Sequence, residues 1–497
     1  MNKSNISDYI SFHAQSVPEK IVFEEISGRH ISYQNFDDKV NQCCYYLNSV
    51  GIKQNDIISL CIDNNLTFLT LYFASIRSNV IVNPLPFSLS SSEIIKNLGL
   101  IKPKYIFHQN KDLKNQFLSI SEADIKSTNI FFDVLEKFDK NKWVCKNSLD
   151  DISCIYHSSG TTGDPKCVEY SHNNMLNLIE SIVEGFGYNE DTRFLGVLPL
   201  GHTAIINYQL LPSIFAGSSI VLAKNFSSIR PNFWDIVASA AINSVELVPT
   251  IVFSMLNTPY DLGVIKKNTT LKYVGCGSAP LSKEIQSTFK KKFCIPLSNL
   301  YGLSETGPSH FDNPIEENWQ PGSIGFPLKV NKCKILKSNL EEAKDGETGQ
   351  IAIKGKNVFV GYFNNDKAYK KAFHNGYFLT GDLGYKDKDG RYFFVDRVKD
   401  LIIRGGVNIV PGEIEELLYQ IEGVNSVAVY GISDKLFGEK IVAVIEQRSN
   451  LNEKDIKTYL SRKLQPLKVP EIIHFVDSMP KTASGKIFKK ELKEKLS

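Results

Sequence analysis

Helical and strand patterns alternate through most of this chain. Apolar residues recur at three- and four-residue spacing over residues 36–47, which predicts a helix, and a short strand pattern follows at 57–62. A second helix is predicted over 66–76, and further strands at 152–156 and 219–222. Because parallel strands need a crossover between them, this βαβ alternation predicts parallel sheets with helices packed on their faces.

The pattern changes after Trp319, where glycine and proline cluster and short strands alternate with turns. Asp-Gly and Asn-Gly pairs mark hairpin-like turns, so residues 322–395 are predicted to form a small β-rich unit. Helical and strand patterns mix again from residue 401 to residue 497. This second change of pattern predicts a boundary at residues 396–400.

The composition argues against several classes of protein. The 497 residues are 42% apolar and 22% charged, and 57 basic against 54 acidic residues leave a net charge of +3. These values argue against a disordered chain, and so balanced a charge provides no field for capturing nucleic acid. No apolar run of ~18 residues occurs, so no membrane insertion is expected. The nine cysteines form no C-x-x-C pair, and we expect a cytoplasmic protein with reduced thiols.

The sharpest local signal is the loop 158–166, Ser-Ser-Gly-Thr-Thr-Gly-Asp-Pro-Lys, just after a predicted strand. Its two glycines allow backbone N–H groups to approach an anion closely, and its hydroxyls add further donors. Lys166 adds a positive charge, but it does not follow the second glycine directly, so the loop is not a Walker A motif. The loop is predicted to bind a polyphosphate.

This loop resembles the phosphate-binding signature of the AMP-forming adenylating enzymes, a superfamily of acyl-CoA synthetases, adenylation domains and luciferases. The segments LPLGH, GSAPLS, YGLSETG, GSIGFP, YFLTGD, DRVKDLIIRGGVNIVPGEIE and PKTASGK then follow in the order typical of that superfamily. The pattern is most similar to acyl-CoA synthetases and related acid–thiol ligases. The resemblance implies an α/β fold whose large N-terminal domain, residues 1–395, contains two α/β subdomains and a small β-barrel-like unit. A hinge at 396–400 and a small mobile α+β domain at 401–497 are expected to follow.

The resemblance also implies a reaction in two steps. A carboxylic acid is activated by ATP to an acyl-adenylate with release of pyrophosphate, and a thioester then forms with CoA. The implied cofactors are ATP and Mg²⁺. The co-substrate is CoA or the phosphopantetheine of an acyl or aryl carrier protein.

Four residues are expected to be catalytic. Glu305 would hold Mg²⁺, because magnesium prefers hard oxygen ligands and keeps substrate phosphates as partners. Ser304 would contact the α-phosphate, and His202 would lie beside the acyl group. Lys486 would stabilise the negative charge that develops when the carboxylate attacks the α-phosphate.

The remaining site residues are carried over from the same motifs. Asp382 and Arg397 are expected at the ribose, Lys399 at the hinge, and Arg404, Gly405 and Gly406 at the thiol acceptor. The nucleotide-binding set is Ser158, Ser159, Gly160, Thr161, Thr162, Gly163, Lys166, Gly277, Ser278, Ala279, Pro280, Tyr301, Gly302, Asp382 and Arg397. The acyl pocket is expected to be lined by His202, Thr203, Ala204, Ile205, Val248 and Cys276.

Several positions depart from the superfamily's pattern, and three of them bear on the activity or on the acid. Cys167 replaces a glycine after the phosphate loop and could slow catalysis. Gly201 replaces an aromatic residue, and Ile205 stands where acyl-CoA synthetases often have glycine; both argue for a short or medium acid. Residues 203–207 contain no acidic side chain. An amino acid is therefore disfavoured, because its ammonium group would be buried without a counter-charge.

Two alternatives remain open. The Arg404-Gly405-Gly406 segment suits either pantetheine thiol, so the chain could instead be a free-standing adenylation enzyme that loads an acyl group onto the phosphopantetheine of a carrier protein. A catalytically degenerate nucleotide-binding protein is the alternative from a different class. The altered Cys167 and Gly201 favour that reading, whereas the retained catalytic set opposes it.

Overall fold

The computed structural model describes residues 3–109, 121–124, 128–158, 166–263, 265, 269–447, 451–481 and 487–496. The strands are β1 (Ile21–Glu25), β2 (His30–Ser32), β3 (Ile57–Cys61), β4 (Ile81–Pro84), β5 (Tyr105–His108), β6 (Ser121–Asp124), β7 (Ile152–His157), β8 (Cys167–Ser171), β9 (Arg193–Gly196), β10 (Ser219–Leu222), β11 (Glu246–Leu247), β12 (Val274–Cys276), β13 (Leu297–Asn299), β14 (Tyr301–Leu303), β15 (Gly307–Phe311), β16 (Ser323–Pro327), β17 (Asn331–Leu336), β18 (Gly349–Gly355), β19 (Gly361–Tyr362), β20 (Phe373–His374), β21 (Tyr377–Lys386), β22 (Tyr392–Arg397), β23 (Ile402–Arg404), β24 (Val407–Ile409), β25 (Val424–Asp434), β26 (Gly438–Gln447) and β27 (Ile472–Val476).

The α-helices are α1 (Asp8–Ser16), α2 (Tyr33–Ser49), α3 (Leu66–Arg77), α4 (Ser91–Ile101), α5 (Thr128–Leu135), α6 (His172–Phe186), α7 (Thr203–Ile205), α8 (Leu211–Ala216), α9 (Phe226–Ile229), α10 (Phe233–Ser239), α11 (Pro249–Leu256), α12 (Lys283–Phe293), α13 (Asp366–Lys371), α14 (Pro411–Tyr419), α15 (Glu453–Ser461) and α16 (Lys489–Leu496). A π-helix, Ile206–Leu210, joins α7 to α8, and short 3₁₀ turns lie at Arg230–Asn232, Val398–Asp400 and Pro466–Lys468. The helices and strands predicted from the sequence patterns are confirmed as α2, β3, α3, β7 and β10.

The first sheet has the strand order β19-β8-β7-β4-β3-β5-β6. Its five strands from β7 to β6 are parallel, and β8 and β19 add antiparallel strands at one edge. Helix α3 shows why its sequence suits a buried crossover: every residue from Leu66 to Arg77 is buried, and Asn65 caps the first turn. The predicted parallel sheet with packed helices is confirmed here.

The second sheet combines two groups of strands. The order β2-β1-β10-β9 is continued by a parallel bridge between Phe194 and Ser244 into β11-β12-β13. All these neighbours are parallel except β1 and β2. The two parallel sheets correspond to the two predicted α/β subdomains.

Helix α6 follows the strand that leaves the phosphate loop. The Ser171 hydroxyl accepts a hydrogen bond from the Asn174 backbone amide, and the Asn174 side-chain oxygen accepts one from the Ser171 backbone amide, which forms a capping box. Met175, Leu178, Ile179 and Ile182 share one buried face, and the helix ends at Gly187 in the left-handed conformation. These local signals fix the helix between the first sheet and the β-rich sheet.

The β-rich unit is one sheet with the order β14-β15-β16-β22-β21-β18-β17, and β20 pairs with β21. The sheet begins at Tyr301, upstream of the predicted start at residue 322, because β14 and β15 pair with each other and then with β16. Strands β14 and β17 are the two end strands of this order, and within the described residues no pairing joins them. The predicted barrel-like unit is therefore an open sheet, and the predicted α/β fold with a small C-terminal unit is confirmed.

The two largest sets of buried apolar residues among the described residues form separate cores. The large core extends from Ile6 to Tyr392, and a smaller one from Ile402 to Ile473 packs α14 and α15 against β25, β26 and β27. The division at residues 396–400 stays a prediction. Among the described residues, no helix is long and apolar enough to cross a membrane.

Candidate active site

The carboxyl ends of the two parallel sheets face each other. The side-chain amide of Asn64, which follows β3, donates to the carbonyl oxygens of Leu198 and Ala223, which follow β9 and β10, at 2.8 and 3.1 Å. The Leu200 amide donates back to Asn64 Oδ1 at 2.8 Å. Ligands of open α/β sheets bind at this edge, where the loops leave the strands. The LPLGH and GSAPLS segments lie on loops that follow β9 and β12.

The two described ends of the predicted phosphate loop, Ser158 and Lys166, lie at this edge, after β7; we call them the neck of the loop. Strands β7 and β8 pair up to His157 and Cys167, and the Ser158 amide donates to the Lys166 carbonyl at 2.8 Å. The predicted residues Ser159, Gly160, Thr161, Thr162 and Gly163 lie outside the described residues. The neck alone therefore shows that the loop connects two neighbouring antiparallel strands.

Cys167 and His157 form a neutral pair at this neck. The Cys167 sulfur lies 3.8 Å from His157 Nδ1, and His157 Nε2 lies 3.4 Å from Asn83 Oδ1. Burial raises the pKa of the Cys167 thiol to about 11 and lowers the pKa of His157 to about 4. Cys167, which replaces a glycine of the superfamily's pattern, therefore carries a buried and protonated thiol near neutral pH.

The turn from Ser304 to Thr306 joins β14 to β15 and is held from three directions. The Tyr170 hydroxyl donates to the Ser304 carbonyl at 2.9 Å, and the Phe359 amide donates to the Glu305 carbonyl at 3.0 Å. The Asn357 side chain donates to the Thr306 carbonyl at 2.8 Å. This support fixes the turn that carries Ser304 and Glu305.

The Glu305 carboxylate lies close to the last residue of the phosphate loop. Its Oε1 accepts a hydrogen bond from the Tyr362 hydroxyl at 3.0 Å, and the Lys166 ammonium lies 4.6 Å from the centre of the Tyr362 ring. Burial raises the pKa of Glu305, while the Tyr362 hydroxyl and the charges of Lys166 and Arg397 oppose that rise. The structure therefore brings together the predicted metal and phosphate ligands.

The donor set at Glu305 fits Mg²⁺ rather than a metal held by the protein alone. Within the described ranges, no group of three or more His, Cys, Asp or Glu side chains could hold a metal ion. Magnesium commonly uses one or two carboxylates together with substrate phosphates and water. One carboxylate beside a phosphate-binding lysine matches that mode.

Asp382 and Arg397 face each other on neighbouring strands of the β-rich sheet. Arg397 Nε lies 3.0 Å from Asp382 Oδ1, and the Tyr301 hydroxyl donates to Asp382 Oδ2 at 2.8 Å. Asp382 is almost fully buried, whereas Arg397 is about a third exposed at 30%. The pair is anchored on one side by β14 and reaches solvent on the other.

The predicted adenine loop follows β12 at the same edge as β13 and Tyr301. The Leu300 amide donates to the Cys276 carbonyl at 2.8 Å, and a Cβ on Gly277 would come within 2.9 Å of the Leu300 carbonyl oxygen. Ser278 has a φ of 68°, a strained conformation for a residue with a side chain. Ala279 and Pro280 continue the loop toward solvent. Gly302 is similarly close-packed, against the Gly307 backbone.

The predicted acyl-pocket residues lie at the ends of β9, β11 and β12. His202 caps α7, because its Nδ1 accepts the Ala204 amide at 3.1 Å. Thr203 and Ala204 are partly exposed, and Ile205, Val248 and Cys276 are buried. These side chains share one edge of the second sheet.

The predicted thiol-acceptor loop is the turn between β23 and β24. The Gly405 amide donates to the Phe437 carbonyl at 2.8 Å, and the Arg404 guanidinium pairs with Glu471 and lies 5.2 Å from the Phe437 ring centre. Gly405 and Gly406 have φ values of 57° and 80°. These contacts lie within the smaller unit, so this arrangement does not place the loop against the Glu305 turn.

Of the two remaining predicted residues, Lys399 lies within the described residues and Lys486 does not. Lys399 lies 4.0 Å from Asp400, and its pKa is lowered mainly by burial and by Arg397, against the pull of Asp400 and Asp382. Lys486 lies in the segment 482–486, outside the described residues. The flanking residues Lys481 and Ile487 form an isolated antiparallel bridge.

Several residues of the site were not predicted from the sequence. Tyr362, Tyr170, Asn357 and Asn64 hold the loops and turns in place, but none belongs to a phosphate or carboxylate motif. Tyr362 and its partner Glu305 are 57 residues apart, and Tyr170 and Ser304 are 134 apart. Local spacing carries no signal for such pairs, because they meet only when the β-rich sheet packs on the first sheet.

Comparisons with known proteins identify the family. The model of the AMP-binding enzyme family matches residues 11–363, and the model of the AMP-binding enzyme C-terminal domain matches residues 413–486. The chain therefore belongs to the AMP-binding enzyme family. Membership confirms the predicted class, an AMP-forming acid–thiol ligase.

Individual relatives match two thirds or more of the chain. The oxalate–CoA ligase of Arabidopsis thaliana is 29% identical over 98% of both chains. The sulfoacetate–CoA ligase of Cupriavidus necator is 31% identical, covering 68% of this chain and 66% of that protein. The crystal structure of ATP-bound MatB from Rhodopseudomonas palustris is 25% identical and superposes with a TM-score of 0.90, covering 99% of this chain and 98% of that one.

Proposed function

We propose that this chain converts a short or medium monocarboxylic acid to its acyl-adenylate and then transfers the acyl group to CoA. In the first step a carboxylate oxygen attacks the α-phosphorus of ATP and pyrophosphate leaves. In the second step the thiol sulfur attacks the acyl carbonyl carbon, AMP leaves and the thiol proton passes to solvent. One observation carries the proposal: the charges of Lys166 and of Arg397, the partner of Asp382, both act on the Glu305 carboxylate, so phosphate-, metal- and ribose-binding groups lie close together.

The described contacts support a division of labour in nucleotide binding. The phosphate loop with Lys166 would hold the phosphates, and Glu305 would hold Mg²⁺, which neutralises phosphate charge when bound. Asp382 would accept the ribose hydroxyls, as acidic side chains do in other nucleotide sites. Tyr301 and Arg397 would orient Asp382, because each contacts a different oxygen of its carboxylate.

The smaller unit would supply the second group of catalytic residues. We propose residues 1–395 and 401–497 as two domains joined by a hinge at 396–400, with Lys399 at its centre. One orientation of the small domain would bring Lys486 to the α-phosphate. The other would bring Arg404, Gly405 and Gly406 to the thiol, since the glycines leave room for a narrow pantetheine arm.

The residues around His202 favour an acid with an uncharged tail. Residues 203–210 and 248–256, which leave the ends of β9 and β11, contain no lysine and no arginine. The relatives named for oxalate and sulfoacetate act on acids with a second anionic group. A second anion beside these two segments would find no lysine or arginine in them to pair with. Burying an unpaired charge costs several kcal/mol, whereas burying an unpaired polar group costs ~2–7 kcal/mol.

The two curated relatives named above are CoA ligases, and this favours CoA over a carrier protein as the acceptor. The test measures AMP release by the purified protein with Mg²⁺-ATP and a panel of butyrate, hexanoate, benzoate, malonate, oxalate and alanine, each with and without CoA. We expect AMP release with one or more of the first three acids, stimulated by CoA.

Each other outcome contradicts a defined part of the proposal. Turnover with malonate or oxalate alone would contradict the uncharged-tail assignment. Acid-dependent turnover that ignores CoA would transfer the assignment to a carrier-protein acceptor. ATP binding without turnover by any acid would favour a catalytically degenerate nucleotide-binding protein.

A further inference from the structure

Tyr362 contacts two oppositely charged residues of the site through different parts of one side chain. Its hydroxyl donates to Glu305 Oε1 at 3.0 Å, and its ring face lies 4.6 Å from the Lys166 ammonium. A cation over an aromatic face and a carboxylate at a phenol hydroxyl are both favourable arrangements. The same residue therefore stabilises both charges at once.

The position of Tyr362 is fixed by its surroundings. Its backbone pairs with Val168 in β8, the strand that follows the phosphate loop, and its side chain is only 3% exposed. The ring packs on Phe359 with centroids 4.7 Å apart, and the Phe359 amide donates to the Glu305 carbonyl at 3.0 Å. A rigid aromatic side chain thus connects the strand after the phosphate loop to the turn that carries Glu305.

This geometry has a consequence for the two charges. A flexible lysine beside a carboxylate tends to form a direct ion pair, which would neutralise both groups before a ligand arrives. The Tyr362 ring gives the ammonium and the carboxylate separate places, on its face and at its hydroxyl. Each charge is then available to a different partner.

We infer that Tyr362 is a positioning residue, which orients Lys166 toward the nucleotide phosphates and Glu305 toward the magnesium ion that accompanies them. This inference rests on the proposed function, because it takes Mg²⁺-ATP as the ligand. It assigns the ring to the phosphate-binding lysine and the hydroxyl to the metal-binding carboxylate. The two parts of one side chain can therefore be tested separately.

The test measures the binding of ATP by calorimetry, once with excess Mg²⁺ and once with EDTA. Tyr362→Phe keeps the ring and removes the hydroxyl, so we expect about tenfold weaker binding in Mg²⁺ and unchanged binding in EDTA. Tyr362→Leu also removes the aromatic face, so we expect binding in EDTA to weaken as well, by about three- to fivefold.

Tyr369 offers a matched control in the same aromatic cluster. Its ring packs against Phe359 and Phe373, with centroids 5.2 and 4.9 Å apart, and among the described residues it has no hydrogen bond, ion pair or cation–π contact with Lys166 or Glu305. Tyr369→Phe and Tyr369→Leu should leave ATP binding unchanged under both conditions. Thermal unfolding of all four variants establishes that each is folded at the temperature of the titration.

Two results would overturn the inference. Equal losses with Mg²⁺ and with EDTA for Tyr362→Phe would show that the hydroxyl has no particular connection to the metal. Unchanged binding in EDTA for Tyr362→Leu would show that the ring does not orient Lys166. Failure of the unaltered protein to bind ATP under either condition would instead contradict the proposed function itself.

Discussion

Gly201 shows how closely the site is packed at the level of one residue. A Cβ at this position would fall on the backbone of Leu85 and Pro86, which follow β4 in the first sheet. A larger side chain here would force the two sheet edges apart. The departure from an aromatic residue at this position therefore has a structural reason: the backbone of the neighbouring loop occupies the space.

Gly201→Ala is expected to destabilise the protein by about 1–3 kcal/mol, because well-packed backbone has to move. The measurement is urea unfolding. Gly99→Ala is the matched control, since Gly99 lies within helix α4 and a Cβ there meets nothing within 4 Å. The control should stabilise the protein by about 0.4–1 kcal/mol. The same sign for both variants would contradict the packing at Gly201.

Lys486→Ala should lose most of the adenylation activity, about a hundredfold or more, because one cation fewer faces the developing negative charge. Acid-dependent exchange of pyrophosphate into ATP measures this half-reaction, and ATP binding should survive. Lys490→Ala serves as the control, since Lys490 is exposed and pairs only loosely with Glu494 at 3.9 Å. Normal pyrophosphate exchange in Lys486→Ala would refute the role of this lysine.

The elements around β11 enclose a carboxyl group that the proposed reaction does not use. Glu246 accepts hydrogen bonds from the Tyr188 hydroxyl at 3.0 Å and the Ser244 hydroxyl at 3.2 Å, and also from the Gln209 amide. Gln209 belongs to the π-helix Ile206–Leu210, a rare turn type that is frequent at functional sites. Glu246 thus connects that π-helix to β11, beside the predicted acyl pocket.

Burial raises the pKa of Glu246 to about 7. The folded protein then holds this proton more tightly than the unfolded chain, so the stabilisation is complete below about pH 4.3 and is lost as the pH rises through 7. Glu246→Gln cannot titrate, and its Gln209 partner can turn its amide oxygen toward the new amide. Relative to this variant, the unaltered protein should lose about 2 kcal/mol of stability between pH 5 and pH 8.

Urea unfolding at several pH values measures this difference. The exposed residue Glu317 provides the control, since Glu317→Gln should follow the unaltered protein at every pH. A difference between Glu246→Gln and the unaltered protein that does not change with pH would contradict the raised pKa.

Within the described residues, side chains of the large core's unit contact side chains of the smaller core's unit. Tyr419 of α14 stacks on Phe253 of α11 with ring centroids 5.9 Å apart, and the Asn257 amide donates to Asn425 Oδ1 at 3.2 Å. These contacts cross between the large core and the small one, whereas Leu69 and Leu460 lie entirely within one core each. Contacts between packed domains of one chain resemble those of transient protein–protein interfaces, which is the kind of interface that the proposed rotation of a small domain needs.

Leu460→Ala should destabilise the small core by about 2–5 kcal/mol through the cavity it leaves. Hydrogen exchange, read by mass spectrometry, should then rise within residues 401–497 and stay unchanged within residues 1–395. Leu69→Ala in helix α3 should give the converse pattern. Increased exchange along the whole chain in either variant would contradict the division at 396–400.

The fold and the residue types of the site could be predicted to different degrees. Local periodicity predicts helix α2, strand β10 and the parallel sheets, because the apolar residues that these elements bury recur at regular positions in the sequence. The β-rich sheet was predicted to start at residue 322, but it begins at Tyr301. The Tyr301–Glu305 motif occupies β14 and the turn that leads to β15, and this hairpin lacks the Asp-Gly or Asn-Gly pair from which the other turns were predicted.

The sequence by itself determined the family, the α/β class and the residue types at the predicted site, because periodicity and contiguous motifs are local properties. Only the tertiary structure decided that Asn64 joins the two sheets, that Gly201 makes room for the Leu85–Pro86 backbone, and that Tyr362 lies between Lys166 and Glu305. These partners are far apart along the chain. They meet because separate sheets pack edge to edge, and no local pattern encodes that packing.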